Sequence, residues 1–89
     1  MVELDSLRRY AGADSQTDTE VLTTCLQWAI EWYRSAGVPP LDGNALYDDW
    51  VRDLAAWRFD NRGGDAPIPA HIVSSVHQMR RAAAKAAAK

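Results

Sequence analysis

Cysteine is nearly absent. Cys25 stands alone, so no disulfide can form within the chain, and a reducing compartment is expected. On a helix it reads as a small core hydrophobe. Long apolar runs are missing too, since none approaches the ~18 residues that a membrane span needs, and no membrane partner is expected. There is no basic excess. Lys and Arg number 10 against 12 Asp and Glu, a formal charge of −2, which argues against a general nucleic-acid binder. The opening MVELDSLRRY lacks the pattern of a signal peptide, and a soluble protein made in the cytoplasm is expected. The sequence has no internal repeat and no convincing strand, so the class is all-α.

Groupings that carry chemistry are missing as well. Serines and threonines occur without a nucleophile motif, and Cys25 lies on an apolar helix face. Gly63-Gly64 lacks the Lys-Ser/Thr and the following helix of a phosphate loop. His71 and His77 lie about 240° apart on a helix, off any shared ligand face, and read as solvated or edge histidines. Asp49 and Asp53 do share a face at i,i+4. Arg52 lies beside them, however, Asp48 can pair with it, and no third ligand is evident; a solvated charged face is the better reading. No catalytic residue, metal ligand or cofactor is therefore expected, and the chain does not read as an enzyme.

What is present is one domain's worth of helix. A chain of 89 residues should bury only ~64% of its unfolded surface. Four Trp, three Tyr and one Phe are a heavy aromatic load for so thin a body, so some are expected to serve a partner. The central stretch runs from Asn44 to Gly64. Leu46, Trp50, Leu54 and Trp57 recur on one side of a helix, with Tyr47 and Val51 beside them, giving an apolar arc of roughly 140°. Trp50 is expected at its centre. Asn44 can cap the first amides, and Gly63 can supply the left-handed stop. Phe59 breaks the pattern by pointing into the charged face, between Arg52 and Ala55.

The flanking segments read in the same way. Val2–Tyr10 is a short helix ended by Gly12. Thr17-Asp18-Thr19-Glu20 matches a capping box that opens a helix running to Ala36 and closed by Gly37. Its apolar residues, Trp28 among them, spread over roughly 200°, wider than a surface helix needs; either this helix is the centre of the bundle or part of it faces another subunit. Pro69 can open the last helix, where Ile72, Val73, Val76, Met79 and Ala83 form a narrow stripe. The domain is read as residues 1–81, followed by an Ala/Lys-rich tail over 82–89. Arg81, Lys85 and Lys89 recur every four residues as one basic stripe. That stripe is either a solvated face complementing the helix dipole or a contact for phosphate or an acidic partner.

Taken in order, these landmarks resemble the small head–tail connector (adaptor) proteins of tailed bacteriophages. The resemblance spans Leu4 to about Arg80. A short first helix, Leu4 to Tyr10, leads into an acidic turn at Asp14 and Asp18-Thr19-Glu20. A long helix closes on Tyr33-Arg34-Ser35-Ala36-Gly37. The third helix ends Trp57-Arg58-Phe59-Asp60-Asn61-Arg62, similar to the family's aromatic-x-Asn-Arg ending. Ile68-Pro69, then Ile72-Val73 and Met79-Arg80, are similar to its last helix. The sequence departs from the pattern in having Phe59 where Tyr is common and Met79 where an aromatic commonly precedes the Arg.

The helices read above make a small bundle of three main helices plus a short N-terminal helix, and the resemblance implies a structural role in the virion. It implies a cyclic, dodecameric ring beneath the portal protein that extends the DNA channel and docks the next tail-completion or stopper protein. DNA would pass through without sequence-specific binding. Phe59, flanked by Arg62, is expected to anchor an inter-subunit contact or the packing of the Gly63–Ile68 connector, and Trp28 is a further expected interface residue. The alternative from another class is a small helical DNA-binding or regulatory module using the basic stripe, against which stand the charge balance and the lack of a basic recognition-helix start.

Overall fold

The computed structural model describes residues 2–13, 19–41, 43–61, 64 and 66–87. They form four helices: α1 (Leu4–Tyr10), α2 (Thr19–Ser35), α3 (Ala45–Asp60) and α4 (Ala70–Ala87), with no strand among the described residues. The all-α bundle with a short first helix is the architecture expected from the sequence. Its helix ends follow local chemistry. Asn44 is the N-cap of α3, and its side-chain oxygen accepts the Tyr47 N–H at 3.0 Å. Gly37, at φ 94°, closes α2: the Val38 N–H donates to the Tyr33 carbonyl at 2.8 Å and the Gly37 N–H to that of Arg34 at 3.0 Å. Gly12, at φ 71°, lies just past α1. The capping residues Thr17 and Asp18, and the expected stop at Gly63, lie outside the described residues. Within them α3 ends at Asp60, where the Asn61 side chain donates to the Trp57 carbonyl at 2.9 Å. The last helix starts one residue later than expected, and the Pro69 carbonyl accepts the amides of Ile72 and Val73.

The body is a slab of 43 × 27 × 16 Å. Among the described residues α3 packs closely on α1, α2 and α4, and the α2–α3 seam is the most extensive. The centre of the bundle is therefore α3 rather than α2. The core contains Leu7 of α1, Leu22, Leu26, Ala29 and Tyr33 of α2, and Tyr47, Val51, Leu54 and Ala55 of α3. Ile72, Val76 and Met79 of α4 complete it, together with Val38 of the loop after α2. Cys25 is buried, as a small apolar side chain on this face would be.

The buried face of α3 overlaps only part of the expected arc. Tyr47, Val51, Leu54 and Ala55 are buried, whereas Leu46 is 43% exposed and Trp50 and Trp57 are half-buried. The core face is thus rotated by roughly 60° from the centre of the expected arc, at 100° per residue, and keeps Tyr47, Val51 and Leu54 of it. Trp50 sits at the edge, with its ring 6.0 Å from that of His71, so truncating it should cost less than truncating a fully buried ring. Two things move the face. Ala55 and Ala56 are small enough to admit close neighbours, and in a slab this thin a Trp fits most readily at a rim, where part of the indole stays wet. The stripe on α4 shifts too. Val73 is 51% exposed, and Ser75 takes its place in the core.

Candidate functional site

Two surface features bring together residues capable of recognition. The first lies on the α2–α3 seam. Trp28 of α2 stacks on Trp57 of α3, with ring centroids 6.2 Å apart and planes inclined by 30°. The Arg58 guanidinium lies over the Trp28 ring, 4.8 Å from its centroid. All three side chains are half-buried, so each presents part of its surface to solvent. Stacked tryptophans under an arginine form a rigid platform whose components are the residue types that dominate interface energetics.

Phe59 is different from its expectation. It does not stand out in solvent from the charged face; it is half-buried and packs against the subunit's own core. The charged face of α3 is itself partly covered, by α1. The Arg52 guanidinium donates to the Ser6 hydroxyl at 3.1 Å and lies 5.2 Å from the centroid of the Tyr10 ring. Arg52 pairs with Asp49 at 2.7 Å, at i,i+3, rather than standing in a fully solvated row. Arg62, the other expected flank of this interface, lies outside the described residues.

The second feature is a clasp between three helices. Asp53 of α3 accepts from the Tyr10 hydroxyl of α1 at 3.1 Å, and its other carboxylate oxygen lies 3.2 Å from His71 Nε2 of α4. Burial, then the Asp53 charge and its hydrogen bond, raise the Tyr10 phenol above its ordinary value near 10. The clasp borders an open groove of about 350 Å³ between α1 and the start of α4. Tyr10, Asp53, Trp57, Asp60, Pro69 and His71 are among the side chains that line it. Sequence reasoning placed Asp53 and His71 on separate solvated faces, because nothing local joins residues on different helices. The one available signal was that Asp53 lies on a helix with aromatic and histidine partners elsewhere in the chain, and it names no pairing.

No family model, curated protein or solved structure matches this chain.

Other sequence landmarks fall as follows. Arg81 and Lys85 are exposed on α4 and lie one turn apart, as their spacing requires; Lys89 lies outside the described residues. Arg80, by contrast, is structural: its Nε donates to the Ala36 carbonyl at 2.8 Å, a cation at the negative end of α2. Its guanidinium also passes close to Gly37, where a Cβ would lie 3.1 Å from Nε. His77 is exposed. Among the described residues no group of three His, Cys, Asp or Glu side chains could hold a metal ion, and no helix is long and apolar enough to cross a membrane.

α4 continues as helix to Ala87, with Ala82 and Ala83 half-buried and Ala84 to Ala87 exposed. Alanines bury little area each. Truncation after Arg81 is therefore expected to shift the thermal midpoint by only a few degrees, at about 4–8 °C per kcal/mol for a domain of this size. A circular-dichroism melt checks this, and a loss of the cooperative transition would make the tail part of the core.

Proposed function

We propose that this chain is a structural connector of the kind found at the head–tail joint of tailed bacteriophages. In this reading it acts as one subunit of a ring that lengthens the DNA channel beneath the portal and receives the next tail-completion protein. The observation that carries the reading is the end of α3. Trp57-Arg58-Phe59-Asp60-Asn61-Arg62 resembles the family's aromatic-x-Asn-Arg ending, and Trp57 and Arg58 of that segment meet Trp28 in a half-open aromatic and arginine platform. The order of the elements, a short helix followed by three longer ones, is compatible with it. A net charge of −2 suits a channel part, because a lumen that bound phosphate tightly would retard DNA. The virion is the corresponding location.

Trp28 is the better anchor for a subunit or portal contact, and Phe59 contributes chiefly to the subunit's own packing. Trp28→Ala is expected to keep a cooperative melt while weakening ring formation on the portal. A central hot spot contributes roughly 2 kcal/mol or more, which is about 30-fold in affinity. Electron microscopy of the protein mixed with its portal reads this directly. Closed rings for wild type and sparse ones for the variant are expected; isolated subunits on the portal in both samples would overturn the connector reading. A mobility-shift titration tests the DNA-binding alternative. Duplex binding below ~100 mM salt, with a steep salt slope, would instead favour a role for Arg81 and Lys85 on phosphate.

A further inference from the structure

The groove beside the Tyr10–Asp53–His71 clasp has the chemistry of a receptor for a basic side chain. Asp53 and Asp60 line it, and among the described residues no Lys or Arg does. Asp53 is held in place by its two partners. Asp60 is exposed at the end of α3 and makes no ion pair among the described residues. Trp57 and Pro69 provide apolar wall, against which the alkyl stem of a lysine or arginine can lie while its head meets a carboxylate. The same chain carries a matching group. Arg81 and Lys85 are exposed and make no ion pair among the described residues.

One copy cannot join the two itself. His71 and Lys85 lie on the same unbroken helix, roughly 21 Å apart along its axis at 1.5 Å per residue. The groove is at the start of α4 and the basic stripe near its end. A straight helix cannot bring its end back to its own beginning, so a contact between them must join different copies. Such a contact uses two different patches, and is therefore head-to-tail. Repeated, it closes into a ring or runs on as a filament.

We propose that the groove seats the Arg81–Lys85 face of α4 from a second copy of this chain, an assignment that builds on the ring reading above. Lys85 meets Asp60 at the rim and Arg81 lies along the Trp57 wall. The contact is electrostatic, so it weakens as salt rises.

The test uses the full chain. An equimolar mixture of unlabelled and 15N-labelled protein is treated with a zero-length carbodiimide cross-linker at low salt and digested for mass spectrometry. An Asp60–Lys85 link joining one light and one heavy peptide is expected. Its absence would overturn the pairing. In parallel, Asp60→Lys and the double variant Arg81→Glu/Lys85→Glu are each expected to weaken self-association roughly tenfold or more in sedimentation, because like charges then face each other. Mixing the two variants in equal amounts should restore it, which misfolded variants could not do. Rings that form on the portal equally well with wild type and both variants would overturn the pairing and leave the connector reading standing. A persistent light–heavy link without any closed ring on the portal would do the reverse.

Discussion

Tyr33→Ala is expected to lower the melting temperature by on the order of 20 °C, or to leave no folded subunit at all. Tyr33 is fully buried and is the largest such side chain in the core. Its ring meets Trp32 edge-on at 5.0 Å and lies 6.4 Å from that of Tyr47 on α3. Its hydroxyl shares a hydrogen bond of 2.7 Å with Ser75 on α4. One side chain thus ties α2 to both of the other long helices. Truncating a buried aromatic ring costs about 3–5 kcal/mol, against a total of roughly 5–15 kcal/mol for a domain. Most of that loss is packing, because Ser75 keeps its 2.6 Å bond to the Ile72 carbonyl. A circular-dichroism melt decides it, and a midpoint within a few degrees of wild type would remove Tyr33 from the core.

The same residue gives the stability a pH dependence of known sign. Burial raises the Tyr33 phenol above its ordinary value near 10, and the Ser75 hydrogen bond offsets only part of this. Its contribution is fully present below the unfolded value and is lost as pH rises through the folded one. The Tyr10 phenol, raised mainly by burial and then by Asp53, adds to the same alkaline decline. The Tyr33→Phe variant should therefore lose stability less steeply above pH ~10 than wild type, as melts at a series of alkaline pH values will show.

Leu7→Ala is expected to release α1 and to lower the midpoint by on the order of 10 °C or more, for a cost of about 2–5 kcal/mol. α1 has seven residues, and Leu7 is the one fully buried among them. A helix so short has no stability of its own. Leu4 is only partly buried against the core, and the remaining ties are polar and more exposed: Ser6 to Arg52, Tyr10 to Asp53, and Arg8 to Thr19 at 3.1 Å. Hydrogen exchange provides the specific check. Amide protection over residues 4–13 should fall much further in the variant than protection in α2 or α3. Unchanged protection there would mean that α1 is held by its polar contacts instead.

The platform and the clasp differ in how visible they were beforehand. Trp28 could be singled out because a Trp on so wide an apolar arc has more surface than one seam can cover. Its stacking on Trp57 under Arg58 could not, since that depends on how α2 and α3 approach. The clasp was hidden for a related reason. Asp53 read as solvent-facing because Asp49 and Arg52 beside it mark a charged face, and how α1 and α4 approach that face is not written in any local pattern. Phe59, which the helical wheel puts among charged residues, is half-buried against the core, again through packing that no local pattern shows.

Local chemistry in the sequence was enough to determine the number and order of the helices, the cap at Asn44, and the glycines at 12 and 37 that follow the first two. Each of these depends on residues within a few positions of one another, where backbone conformation and apolar period act directly. The tertiary structure alone decided which face of α3 became the core, that Ser75 rather than Val73 would be buried, and that Asp53 would join α1 to α4. Helical periodicity weighs side chains by size, so it favoured Leu46, Trp50 and Trp57. Burial in a slab 16 Å thick depends instead on what the neighbouring helices can approach, and there Ala55 and a hydrogen-bonded serine fit where a larger side chain would not.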